Sequence, residues 1–118
     1  MKLNELLLEH MVDNLLELCK QELEIQELPP IKLVNTPTVG SNYSFGVFQD
    51  DTIQVVSKDR HPIDVMRTLA HELVHWKQRI EGQNMDGNDG SDTENQANAI
   101  AGIIMRRFGK AYPECFTL

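Results

Sequence analysis

The chain has 118 residues, 41% hydrophobic and 25% charged, which suits one globular domain able to hold a core without disulfide staples. With 11 Lys and Arg against 18 Asp and Glu, the formal charge of −7 argues against a nucleic-acid partner, because no basic stripe exists to displace counterions. Only two cysteines, Cys19 and Cys115, are present and they form no CxxC, which excludes a disulfide-built fold and favours a reducing compartment.

From the N-terminus, Leu3, Leu7, Met11, Leu15 and Leu18 recur at helical spacing, with Glu5, Glu9, Asp13 and Glu17 on the opposite side. The spacing predicts a long amphipathic helix ended by Pro29 and Pro30, with Cys19 buried on its apolar face. Its acidic polar face suits packing on a core rather than a membrane surface. The acidic residues also interrupt any signal-peptide pattern, and no run approaches the roughly 18 apolar residues of a membrane span. The expected location is cytoplasmic, with no membrane partner.

"IKLVNT" (31–36) reads as a short strand, followed by a loop at "TPTVGSN". "YSFGVFQDDTIQVVS" (43–57) reads as two strands about a turn at Asp50 and Asp51. A helix follows from Pro62, with Asp64 in its first turn and Val65, Leu69, Leu73 and Trp76 on its apolar face. Residues 81–93 are rich in Gly, Asn and Asp and form a loop. The last helix runs through "ENQANAIAGIIMRRFG", with Ser91, Asp92 or Thr93 as its N-cap. The expected class is α+β: an N-terminal helix, a small, about three-stranded and mostly antiparallel sheet, and two further helices, all in one domain (1–118).

Within the second helix stands "HELVH". His71 and His75 are four residues apart, so a helix places both rings on one face within reach of a single metal ion. Glu72 lies about 100° round from His71, so its carboxylate can reach a metal-activated water without taking a ligand position. A third ligand is needed, and a catalytic site leaves the fourth position open. Glu81 stands ten residues after His71 but would need a turn, usually marked by glycine, where Gln78 is found. On a continuous helix it would end about 15 Å along the axis. Glu94, nineteen residues after His75, can fold back on the last helix. Asn98, one turn later, could accept a hydrogen bond from a ligand histidine and fix its tautomer.

"HELVH" with a downstream helical glutamate resembles the gluzincin type of zinc metallopeptidase. "ENQANAIAGIIM" is similar to the glutamate helix of the ImmA/IrrE metallopeptidases through Glu94, Ala97, Asn98, Ala101 and Met105. Departures are Asn98 where many gluzincins have an acid, and Arg106 where a proline often follows the methionine. The resemblance covers about residues 44–108 and implies a minimal zincin-like domain. It implies one zinc ion held by His71, His75 and Glu94, with Glu72 as general base for hydrolysis of a peptide or protein substrate. The competing expectation is a zinc-binding regulatory module of the same fold without useful turnover. Two further alternatives are a structural zinc site and two histidines satisfied on an ordinary helix.

Other residues carry weaker signals. Asp86, Asn88 and Asp92 resemble part of a calcium loop without its glycine and glutamate register, so a plain turn is expected. The 81–93 loop could serve as a lid, and a strand within 44–57 could align a peptide by strand addition. Tyr43 or Tyr112 could donate to an oxyanion. Cys115 could cap the open metal position and keep an enzyme latent, or lie in a frayed tail. His10 is expected on a solvated face and His61 near a helix start.

Overall fold

The computed structural model describes residues 3–36, 44–82 and 91–117. Helix α1 (Leu3–Leu23) buries Met11, Leu15, Cys19 and Leu23, a line repeating every four residues. His10, Asp13 and Glu17 remain exposed. The helix stops six residues short of Pro29, and local backbone chemistry explains the difference. Glu24 takes a left-handed φ of 54°. Its N–H donates to Gln21 O at 3.4 Å, and Ile25 N–H donates to Lys20 O at 3.1 Å. These are the paired bonds of a Schellman stop, formed here without its usual glycine.

Three strands follow, β1 (Ile31–Val34), β2 (Gly46–Gln49) and β3 (Thr52–Val56), in the order β1-β3-β2. β2 and β3 are antiparallel and joined by Asp50 and Asp51. Both aspartates have positive φ, 53° and 58°, as a two-residue hairpin of matching twist requires. β1 pairs with β3 in parallel, from Ile31↔Ile53 to Val34↔Val56. The class is α+β as expected, with a mixed sheet in place of a mostly antiparallel one. The reason is strand order: β2 takes the far edge and runs against central β3, so β3 points the same way as β1.

Helix α2 (Pro62–Ile80) starts at the expected proline, with His61 as its N-cap; Nδ1 of His61 accepts from Ile63 N–H at 3.0 Å. Arg60 ties this helix start to the sheet. Its guanidinium donates to Val56 O (2.8 Å), Asp64 O (3.1 Å) and Thr68 Oγ1 (2.8 Å), and it stacks over Phe45 at 4.3 Å. Helix α3 (Asp92–Ala111) is capped by Ser91, whose Oγ accepts from Glu94 N–H at 3.3 Å. A short 3₁₀ helix, Pro113–Thr117, closes the described chain.

One buried cluster joins these elements: Leu15 and Cys19 from α1, Ile53 and Val55 from β3, Leu69 and Leu73 from α2, Ala101, Ile104 and Phe108 from α3, and Cys115. Cys115 is therefore a core residue, neither frayed nor near a solvent-facing ligand position. No described helix is long and apolar enough to cross a membrane.

Because a non-glycine residue pays a steric cost in the left-handed region, Glu24→Gly should stabilise the fold by about 0.5–1 kcal/mol. Urea unfolding reads this as a higher midpoint with unchanged slope. A lower midpoint would mean that residue 24 is not held left-handed.

Candidate metal centre

The sequence of α2 builds half of the site. His71 and His75 lie one turn apart, their ring centroids 4.7 Å apart and their planes at 84°. This edge-on arrangement points both Nε2 atoms at the same space, 3.1 Å from each other. Helix α3 supplies the rest. The Ser91 cap fixes its start, so Glu94 falls in the first turn, facing α2. Glu94 Oε2 lies 2.7 Å from His75 Nε2, and Oε1 lies 3.4 Å from His71 Nε2. Buried Ala97 and Ala101 follow on the same helix, and such small side chains let helices approach closely.

His71, His75 and Glu94 thus form a group that could hold a metal ion, with ligand atoms all within 4.8 Å of one another. A hydrogen-bond network tests the fit. Gln78, 1% exposed, donates from Nε2 to Thr93 O (2.9 Å) and to Gln96 Oε1 (2.8 Å). With the amide nitrogen committed to two acceptors, Gln78 Oε1 faces His75 Nδ1 at 2.7 Å, and that nitrogen carries the proton. His75 Nε2 then offers a lone pair, not a hydrogen, toward the carboxylate. Glu94 Oε2 is buried without a hydrogen-bond partner, although His75 Nε2 lies 2.7 Å away. Electron pairs brought together in this way suit a shared cation.

The electrostatics follow the same pattern. Burial, and next the neighbouring His75, push the His71 imidazole below its ordinary range, while Glu94 and hydrogen bonds to Glu94 and Asn98 pull it up. Asn98 thus bonds to His71, one turn beyond Glu94. Glu72 is 7% exposed, and burial pushes its carboxyl up to about 7, with His75 opposing the rise and Glu94 adding to it.

Beside Glu72 runs strand β2, at the sheet edge. At Gly46 a β-carbon would come within 2.5 Å of Thr68 Cγ2 and 3.3 Å of Glu72 Cγ, so the strand backbone can lie this close to α2 only without a side chain. The junction leaves a cleft of about 280 Å³ lined by Ser44, Phe45, Gly46, Arg67, Thr68, His71 and Glu72.

Several residues raised by the sequence fall elsewhere. α2 continues without a turn through Gln78, so Glu81 is its exposed C-cap and takes no part in the group. Tyr112 is the C-cap of α3, eighteen residues and about 27 Å along the axis from Glu94, with its ring against Phe108. An oxyanion role for Tyr112 is thereby removed. Cys115, buried in the core, is likewise not in the metal-capable group, and the latent-cap expectation is not supported. Tyr43, Asp86, Asn88 and most of the 81–93 loop lie outside the described residues. Gln78 is the residue that sequence reasoning missed, since it registered only as a missing glycine. Its signal was a polar side chain three residues after His75, on the same helix face. No family model, curated protein or solved structure matches the chain.

The raised Glu72 carboxyl sets a pH dependence in metal-free protein. Its folded value, about 7, lies above its ordinary 4.5, so its contribution to stability is complete below pH 4.5 and is lost as pH rises through 7. Under chelation, Glu72→Gln should therefore melt higher than wild type at pH 8, with the advantage shrinking at pH 5. Equal melting temperatures at pH 8 would contradict a buried carboxylate at this position.

Proposed function

We propose that this chain is a small zinc-dependent peptidase of the gluzincin type, with His71, His75 and Glu94 holding the ion and Glu72 acting as general base. The observation that carries the reading is the convergence of two imidazole Nε2 atoms and a buried carboxylate oxygen that makes no hydrogen bond, with a further carboxylate on the residue after His71. Two histidines and a glutamate are a donor set used for catalytic zinc, whereas closed structural sites favour four ligands rich in cysteine. Neither cysteine belongs to the group.

Zinc bound there would supply Lewis acidity toward a scissile carbonyl and would acidify a water. The remaining chemistry falls to the chain. Glu72 is displaced by one residue from His71, so it flanks the ligand group instead of joining it. Its Oε1 lies on the β2 side, where a β-carbon on Gly46 would be 3.5 Å away. From there it can accept a proton from the attacking water and pass it to the leaving amine. Gln78 and Asn98 hold the two imidazoles through hydrogen bonds. β2 pairs with β3 on one side only among the described strands, so its outer edge is available to an extended peptide, whose side chains would enter the cleft beside His71.

The test compares zinc content after dialysis with cleavage of a quenched peptide library. Wild type should bind one zinc ion and cleave. Glu72→Gln should keep the zinc and lose at least about 100-fold in cleavage, as removal of a general base does. Glu94→Ala should lose the metal, and Glu81→Ala should retain both metal and activity. A wild-type protein that takes up no zinc would overturn the reading; zinc without cleavage in wild type would favour the regulatory module.

A further inference from the structure

We infer that Gln78 is the positioning residue of the metal group: one buried amide selects the tautomer of His75 and fixes α3 so that Glu94 meets it. The proposal rests on the metal-binding reading above for its purpose, although its structural half stands without it.

A primary amide has two donors on nitrogen and one acceptor oxygen, and at Gln78 one partner, a backbone carbonyl, is of fixed type and sets the orientation. Thr93 O, a backbone carbonyl, can only accept, and it takes one N–H at 2.9 Å. Gln96 Oε1 takes the other at 2.8 Å. The amide therefore cannot turn round without setting its oxygen against the Thr93 carbonyl. Held this way, its oxygen requires a donor from His75 Nδ1 at 2.7 Å, which leaves Nε2 bare. Without Gln78 nothing holds the proton on Nδ1. On Nε2 it would occupy the lone pair that faces Glu94 Oε2, 2.7 Å away. Gln78 thus keeps that lone pair free toward the ligand group.

The same amide acts on the third element. Thr93 immediately precedes Glu94, and Gln96 follows it by two residues, so both bonds fall on the first five residues of α3. The ligand histidine, the amide and the start of the glutamate helix form one chain of hydrogen bonds, buried at both ends by His75 and Thr93. Glutamate at position 78 would keep the acceptor for His75 but present a carboxylate to Thr93 O. Methionine, of similar volume, would remove every bond.

The test is the tautomer itself, read from long-range ¹⁵N–¹H correlation spectra of metal-free protein at pH 8, alongside zinc affinity by competition with a chromophoric chelator. Wild type should show His75 protonated on Nδ1. Gln78→Met should show it protonated on Nε2, with zinc binding weakened about 10- to 100-fold. Gln78→Glu should retain the Nδ1 proton, with zinc affinity between the two, because His75 is still oriented while α3 has lost its anchor. An unchanged His75 tautomer in a folded Gln78→Met protein overturns the inference. If that variant does not fold, loss of the Nδ1 proton in Gln78→Glu does the same. Should wild type show the Nδ1 proton yet bind no zinc, the tautomer assignment survives and the metal reading falls.

Discussion

The site depends on where one proton sits: Gln78 draws the proton of His75 away from the Glu94 carboxylate beside it. Folded proteins bury polar atoms in donor–acceptor pairs, because an unpaired buried group forfeits its hydration with nothing in return. Here a carboxylate oxygen and two imidazole nitrogens meet within hydrogen-bond range or close to it, yet the single proton of His75 is drawn away by Gln78. A bare His75 Nε2 and the Glu94 carboxylate oxygen 2.7 Å from it repel each other. The arrangement persists because the surrounding helices are fixed by apolar packing that does not depend on it: Leu69 and Leu73 on α2 and Ala97, Ala101 and Ile104 on α3 are buried almost completely. The core holds the ligands together against their mutual repulsion, and a shared cation would relieve it.

That arrangement explains why other parts of the molecule take the forms they do. The Ser91 cap sets where α3 begins, and a shift of one residue there would rotate Glu94 about 100° away from the histidines. Arg60 anchors the opposite end of α2 to the last residue of β3 and to Phe45, immediately before β2. Gly46 lets the edge strand lie against Thr68 and Glu72. Cleft, base and ligands are therefore referred to one helix, α2, which packs against the sheet along its length and meets α3 through His75 and Gln78.

Much of this was legible in the sequence where the signal is local. The i, i+4 spacing of His71 and His75 needs only a helix to become a shared face, and Pro62 with Asp64 marked where that helix starts. Asp50 and Asp51 marked the hairpin for an equally local reason, their tolerance of left-handed φ. Glu94 was reachable by elimination, since a continuous α2 carries Glu81 out of range. What depended on tertiary partners was less visible. Gln78 has no pattern of its own, and its role exists only because Thr93 and Gln96 arrive from another helix. The parallel β1–β3 pair arises from strand order, which alternation of side chains does not encode. The end of α1 was misjudged because two prolines are a strong stop signal, while a glutamate in a Schellman stop has almost none.

Glu72 separates the enzymatic reading from a site that only holds an ion. The group that could hold an ion is His71, His75 and Glu94, and the network around Gln78 orients His75 without help from Glu72. Yet position 72 places a fourth ionisable group beside the cluster, in surroundings that burial makes unfavourable to its charge. A binding module would be more stable with an uncharged residue there, since glutamine matches the shape and leucine suits the neighbouring core. The strand nearest to it has a glycine where any side chain would collide, which keeps the cleft side of Glu72 open to an incoming chain. A destabilising carboxylate kept beside a cleft is costly in a passive site and useful in one where a proton must be moved, and this asymmetry supports catalysis over storage.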